Sequence, residues 1–402
     1  MKVKTIIVSL LFAFLCLSLE AKTDHDEMPI IAYFGVPEQD TNTEAFQTLR
    51  DCGFSVSLFD YSSLPALLKA CKTAEKVGVK VLGTCPELVK SPDKVARALK
   101  AEPGFFGYFL QDEPNAPEIA QRQKEMERLK AIDDKHTFYI NLFPCYNSEW
   151  VKSSMKTENY QEYLRTASKT SCQQISFDFY PVTANGIRTS WYNNLEMIRK
   201  ESLTSGKPFW AFVLSTPHDV PFDKGNYYPK PTLASLRLQV YSNLAYGAQA
   251  IQYFTYMTPD ANNSYHYHDG PIGINGKKTK TYALVQQMNK ELKSVSKLFY
   301  GAKVLSVHHL LNVPDGTIRL SGTPANIRSL KVVGYKGALV SQIEKNGNLY
   351  LAIVNKDHQR NMTVQIQCSN NIPRHLSKTL QEKEIKSVYT VEAGDMLLFR
   401  LK

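Results

Sequence analysis

The sequence is short of several things that would have decided its class at once. It has no C-x-x-C pair, no glycine-rich loop after its first apolar run, no dense basic run, and, beyond its N-terminus, no stretch approaching ~20 unbroken apolar residues. The first absence argues against a cysteine-based metal or redox site, and leaves Cys52, Cys71, Cys85, Cys145, Cys172 and Cys368 to be read as isolated buried thiols. The second counts against a nucleotide cofactor, and no cofactor is expected. The third argues against nucleic acid as a partner: the net charge of +10 is scattered over helix faces and the C-terminal region, whereas nucleic-acid recognition wants a clustered stripe with interleaved aromatics. The fourth leaves no transmembrane segment in the mature chain.

What is present begins with MKVKTIIVSLLFAFLCLSLEA, where Lys2 and Lys4 precede an uncharged apolar run that ends at the small residue Ala21. This is the pattern of a cleaved export signal, so residues 1–21 are set apart and a secreted or periplasmic location is expected. Lipid anchoring at Cys16 is disfavoured by Leu15, where such signals want a small residue. The remaining residues, 43% hydrophobic in the whole chain, suffice for one large core and a satellite.

Eight short apolar or aromatic runs alternate with stretches of helical period: IIAYFGV (30–36), FSVSLF (54–59), VKVLGT (79–84), FFGYFLQ (105–111), TFYINLF (137–143), QISFDFY (174–180), PFWAFVL (208–214) and AIQYFTY (250–256). Near-continuous apolarity is what strands buried on both faces require, and strand-helix alternation argues for a parallel sheet. Eight such units, closed by a helix in TYALVQQMNKELKSVSKLF, fit an α/β fold of the (β/α)8 TIM-barrel type over residues 22–301, with an open doubly wound sheet as the alternative. After about Gly301 the pattern changes to ALVSQIE, LYLAIVN, MTVQIQ and MLLFRL with turn signals at Asn346-Gly347 and Gly394-Asp395, which predicts a small all-β sandwich over residues 302–402. That domain reads as a brace, with glycan binding as the alternative.

In such barrels the C-terminal ends of the strands carry the chemistry. The fourth strand ends in Gly107-Tyr108-Phe109-Leu110-Gln111-Asp112-Glu113-Pro114, and strict alternation puts Gly107, Phe109, Gln111 and Glu113 on one side. A carboxyl fixed there among Phe and Tyr neighbours is partly desolvated, which raises its pKa towards that of a general acid. Capping of the following helix is the competing role for Asp112 and Glu113.

GYFLQDEP resembles the acid/base signature of the (β/α)8 glycoside hydrolase superfamily, in which a strand-four Glu protonates the glycosidic oxygen. LRLQVYSNLAYGAQAIQYFTYMTP, GPIGINGKKTKTYALVQQMNKELKSV, LYLAIVNKD and VEAGDMLLFRL resemble, in that order, the later barrel and terminal sandwich of bacterial β-galactosidase-like enzymes. The resemblance implies a glycosidase acting on an oligosaccharide or polysaccharide, with Glu113 as its proton donor. It fails at one point. The superfamily's nucleophile is a Glu at the end of strand seven, and here that strand runs Pro208-Phe209-Trp210-Ala211-Phe212-Val213-Leu214-Ser215-Thr216-Pro217-His218-Asp219 with none.

Asp178, at the end of strand six before Tyr180 and Pro181, is the candidate second carboxyl, either as base or as nucleophile; holding Tyr180, an Arg or a backbone amide is its alternative role. Asp219 and Asp260, in polar loops, are weaker candidates. Sugars offer apolar faces to aromatics and hydroxyls to planar polar groups. Tyr33, Phe34, Tyr180, Trp210, Tyr253, Phe254 and Tyr256, beside Gln111, Asp112, Asn141 and Gln252 and with Glu38 beyond the first strand, are therefore the expected substrate-binding set. His266-Tyr267-His268-Asp269 follows the loop opening Asp260-Ala261-Asn262-Asn263; its spacing favours a cleft-lining loop over a metal site. A barrel that keeps the sugar cleft but has lost hydrolysis, binding glycans without turnover, is the rival to the glycosidase; a structural surface protein is the third possibility. Sugar, linkage, stereochemistry and oligomeric state are not legible.

Overall fold

A computed structural model describes residues 27–219, 226–260, 265–370 and 372–402. The expected export signal at 1–21 and Ala261, Asn262 and Asn263 of the polar loop lie outside the described residues. No helix among those described is long and apolar enough to cross a membrane.

Eight parallel strands close into a barrel: β1 (Ile30–Tyr33), β2 (Val56–Asp60), β3 (Lys80–Thr84), β4 (Phe105–Asp112), β5 (Thr137–Leu142), β6 (Ile175–Phe177), β7 (Phe209–Leu214) and β8 (Ala250–Phe254), with β1 pairing β8 to complete the ring. The open sheet is thereby excluded. Strand alternation sorts each run into two faces. Ile31, Val56, Leu58, Leu82, Phe106, Phe109, Tyr139, Trp210 and Ala250 fill the barrel, while Ala32, Val81, Ile140, Phe177, Ala211 and Tyr253 join the layer beneath the helices. Both faces are buried, hence the continuous apolar runs.

Helix boundaries follow local chemistry. Asn115 and Glu118 form a reciprocal capping box at the start of helix Ala116–Lys130, directly after β4. Thr232 caps helix Leu233–Tyr246, which ends at Gly247 with φ of 109°, a left-handed residue suited to glycine.

After helix Lys280–Phe299 the chain turns to β structure. Strands β9 (Lys303–Leu310), β10 (Ile327–Val333), β11 (Ala338–Lys345), β12 (Asn348–Asn355), β13 (Met362–Cys368), β14 (Arg374–Leu376), β15 (Glu382–Lys383), β16 (Val388–Val391) and β17 (Met396–Arg400) form two antiparallel sheets, ordered β9-β11-β12-β17-β14-β15 and β10-β13-β16. Leu351, Ile353 and Phe399 of the larger sheet pack against Val364, Ile366 and Val391 of the smaller one. The intervening Ala352, Val354 and Leu398 belong to the main core beneath the barrel helices. The larger sheet is thus covered on both faces, which accounts for LYLAIVN reading as apolar throughout.

Candidate active site

At the end of β4 the simple alternation expected from the sequence breaks down. The pairing with β5 skips a residue between Phe109 and Gln111, a bulge that reverses which side chains face inward from there on. Gln111 consequently points to the following helix, where its amide donates to Glu118 at 3.2 Å, and Asp112 turns to the barrel mouth. Glu113 follows with φ of 45°, in the left-handed region that residues with a Cβ rarely adopt, and its carboxyl also reaches the mouth. Its backbone N–H is held by the Asn141 carbonyl at 2.8 Å. Backbone strain of this kind, of order 1–3 kcal/mol, concentrates at functional positions.

The mouth is a cleft of about 710 Å³. Its floor carries Asp112, Glu113, Asn141 and Asp178, and its walls carry Tyr33, Tyr146, Trp150, Tyr180, Phe212, Tyr228, Phe254, Tyr265 and Tyr267, with Arg188, His218 and Asp219 among them. The rings of Tyr265 and Tyr267 stack at 5.5 Å, and His218 lies 5.0 Å from Tyr267 and 4.6 Å from Tyr228. The Nδ1 of His218 faces the Thr216 carbonyl at 2.9 Å, so Nδ1 carries the proton; burial lowers this imidazole to about 4 and keeps it neutral at physiological pH. A hollow of about 580 Å³ elsewhere, lined by Lys152, Lys156, Arg165, Lys169 and neighbours, has no aromatic walls, and Lys152 is already paired with Glu158 at 3.3 Å.

Beneath the floor runs a directed chain of hydrogen bonds. Tyr139 donates to Gln252 at 2.8 Å, Gln252 donates to Ser176 at 2.8 Å, and Ser176 donates to Oδ1 of Asn141 at 2.9 Å. With its oxygen so occupied, Asn141 must aim Nδ2 upward, where it donates to Asp112 at 3.2 Å and to Asp178 at 2.9 Å. Tyr33 donates to the other Asp112 oxygen at 2.8 Å. The four members of the lower chain are buried, so the amide has little freedom to turn.

Three carboxyls in one place cannot all ionise cheaply. Burial, then the charges of Asp178 and Asp112, push Glu113 up to about 9. Burial and Asp112 push Asp178 up to about 7, against the opposing pull of hydrogen bonds from Asn141 and Tyr180. Asp112 is exposed to the cleft but otherwise surrounded by protein, which raises it too, while Tyr33, Asn141 and the Glu113 N–H act to lower it. A protonated carboxyl beside one that ionises more readily is an acid/base pair.

The cleft collects Tyr33, Asp112, Glu113, Asn141, Asp178, Tyr180 and Phe254 of the residues singled out by sequence, together with the weaker candidate Asp219. Seven others lie elsewhere, among them Phe34, whose ring packs on Phe59 at 5.1 Å, and Gln252, which belongs to the buried chain beneath the floor. Glu38 accepts from the Ser62 N–H and hydroxyl at 2.7 and 2.8 Å, clasping two loops. Gln111 is turned away by the bulge. Trp210 does face inward but one layer deeper, 6.0 Å from both Phe106 and Tyr139. Tyr253 points outward against Phe54 at 5.3 Å, and Tyr256 packs on the same ring at 5.5 Å. On β8 the wall residue is Phe254 of the expected set, and on β7 it is Phe212, which parity could have selected. Tyr146 and Arg188 come from loops, Trp150 from the short helix Ser148–Trp150 and Tyr228 from the two-residue strand Tyr227–Tyr228; the only signal for the three aromatics was aromatic content, and Arg188 had none. Of the metal alternative, His266 pairs with Asp219 at 2.7 Å and His268 with Asp269 at 3.1 Å, and no group of potential ligands gathers among the described residues.

Residues 122–295 match the sequence model of glycoside hydrolase family 42, described as β-galactosidase. No curated protein matches the sequence. Among solved structures, a family 42 β-galactosidase from G. stearothermophilus superposes with a TM-score of 0.65 at 9% identity, over 94% of this chain and 98% of that one. A β-galactosidase from Bacillus circulans sp. alkalophilus gives 0.64 at 11% identity over 93% and 99%. The β-galactosidase of Marinomonas ef1 gives 0.50 at 10% identity over 67% of this chain, which spans only 60% of that enzyme. At such identities the structural likeness is one of fold.

Proposed function

We propose that this protein, a glycoside hydrolase by its family match and its barrel, cleaves an O-glycosidic bond with Glu113 as proton donor and Asp178 as the second carboxyl. The observation that carries the assignment is the contrast between them on one aromatic-walled floor: hydrogen-bond donors converge on Asp178, and none among the described residues reaches the carboxyl of Glu113. Donors stabilise the ionised form, so the proton resides on Glu113.

The proton of Glu113 passes to the glycosidic oxygen as the bond to the anomeric carbon breaks. Asp178, ionised, faces the positive charge that develops on the sugar, either activating water or bonding to the carbon before water releases it. Turnover needs Asp178 ionised and Glu113 protonated, so activity is expected between about 7 and about 9. Tyr and Trp faces around the floor suit the apolar faces of sugar rings. The names carried by the family and its structural neighbours make β-linked galactosides the first substrates to try. The leader at residues 1–21 supports export, where oligosaccharides and polysaccharides are met.

Release of reducing sugar from β- and α-linked glycans and aryl glycosides, compared between the mature protein and Glu113→Gln, tests the assignment. A loss of roughly 10²–10⁴ in rate with folding intact is expected. Equal rates would remove Glu113 from the mechanism, and saturable glycan binding without turnover in either protein would make the barrel a binding protein.

A further inference from the structure

β4 ends in two adjacent carboxyls, and the hydrolytic step uses one. Asp112 receives Tyr33 at 2.8 Å on one oxygen and Asn141 at 3.2 Å on the other. Both act as donors here: Asn141 presents its amide N–H because its oxygen is taken by Ser176, and Tyr33, held above its ordinary pKa, keeps the proton it gives to Asp112. Its surface is also open to the water of the cleft. A carboxyl with that inventory is an anion. None of Asp112, Glu113 and Asp178 is in an ion pair among the described residues; the cation in the same cleft, Arg188, donates to the Tyr228 hydroxyl at 2.6 Å.

We propose that Asp112 is a positioning residue, a fixed anion that shares the Asn141 amide with Asp178 and thereby keeps the reacting proton on Glu113. The inference rests on Glu113 being the proton donor. The two oxygens accepting from one nitrogen, at 3.2 and 2.9 Å, lie at most about 6 Å apart, close enough for strong like-charge coupling. The groups facing Asp112 are Tyr33 from β1, Asp60 from β2, Tyr139 and Asn141 from β5, Tyr163 from helix Tyr160–Ser168, Asp178 and Tyr180 from the end of β6, and Glu113 beside it. Those that titrate within the working range are carboxyls, so removing the charge at 112 acts on all of them in one direction. Asp112 raises Asp60 as well as Glu113 and Asp178. Asn141 itself does not titrate; it transmits orientation.

The test is a titration of side-chain carboxyls by ¹³C NMR on the full mature chain labelled at Asp Cγ and Glu Cδ, with Glu113→Gln and Asp178→Asn supplying assignments, run beside the pH profile of kcat/KM. In Asp112→Asn the Glu113 and Asp178 titrations are expected to move to lower pH by on the order of one unit, with both limbs of the profile following. Asp112→Glu, which keeps the charge, is expected to restore the limbs even where kcat stays low. Should Asp112→Asn not fold, Asp112→Ser is read the same way. Unmoved titrations in a folded neutral variant overturn the inference whatever the activity. Titrations that move in a protein that turns over no glycoside support the anion at 112 and overturn the hydrolytic assignment instead.

Discussion

Two groups of carboxylates in this molecule have opposite company. On the cleft floor Asp112, Glu113 and Asp178 face one another, with amides and phenols for partners. Where the barrel meets the C-terminal sheet, Glu291 receives Arg237 at 2.7 Å, Tyr241 at 2.7 Å and Lys378 at 2.9 Å, and Asp395 receives Lys378 at 2.9 Å. Burial would push Glu291 up, but its hydrogen bonds and the Lys378 charge bring it down to about 2. Burial pushes Glu113 up to about 9 and its neighbours' charges push the same way. Burial is common to both sites; the sign of the neighbouring charge decides whether a buried acid becomes a structural pin or a proton donor.

The comparison can be broken in several places. The largest effect is expected at Glu113→Gln, where turnover falls by roughly 10²–10⁴ in a reducing-sugar assay while circular dichroism is unchanged. Next is Arg237→Met, which leaves Glu291 with Tyr241 and Lys378 and Asp395 with Lys378; urea titration should show a loss of about 1.5–3 kcal/mol, the scale of hydrogen bonds to a charged group. The same cluster sets an acid limit. Because the folded Glu291 lies below its ordinary 4.5, its contribution is present above that pH and disappears as pH falls towards about 2, which unfolding midpoints measured between pH 6 and 2 would show.

Glu113→Gln should do the reverse to stability. A carboxyl raised in the fold favours the native state only at pH below its unfolded value of 4.5, and this advantage is lost as pH rises towards about 9. At neutral and alkaline pH the amide is therefore expected to stabilise the protein, by about 0.5–2 kcal/mol in urea titration. A destabilised Glu113→Gln would show that the floor carboxyls brace the fold. The smallest effect is reserved for the wall: Tyr267→Ala, which removes one of the two stacked rings, should raise KM by up to about 10-fold with kcat little changed, matching a stacking contribution of 0.5–1.5 kcal/mol.

The residues most legible in the sequence were those at strand ends before a proline. Glu113 and Asp178 were visible because an acid closing an apolar run has few structural reasons to be there. Tyr253 was misplaced by one residue of parity, since its neighbour Phe254 faces the cleft. Gln111 was misplaced by a bulge, which costs the pairing one residue and leaves no mark in composition. Trp210 was on the correct face at the wrong depth, and depth follows from how β7 is staggered against β6 and β8. Tyr146 reaches the wall on a loop, and Trp150 and Tyr228 on elements of three and two residues, too short for any periodicity to encode.

By itself the sequence determined the alternation of eight buried strands with helices and the change to antiparallel strands after the barrel, because hydrophobic period is a local property that neighbouring residues impose. It also determined which acids end the fourth and sixth strands. The tertiary structure alone decided which side chains share the floor. Asn141 and Asp178 are 37 positions apart and Tyr33 and Asp112 are 79 apart, and their hydrogen bonds exist only because the barrel closes. Proton affinity is a property of that closed set, since burial and facing charges act through space.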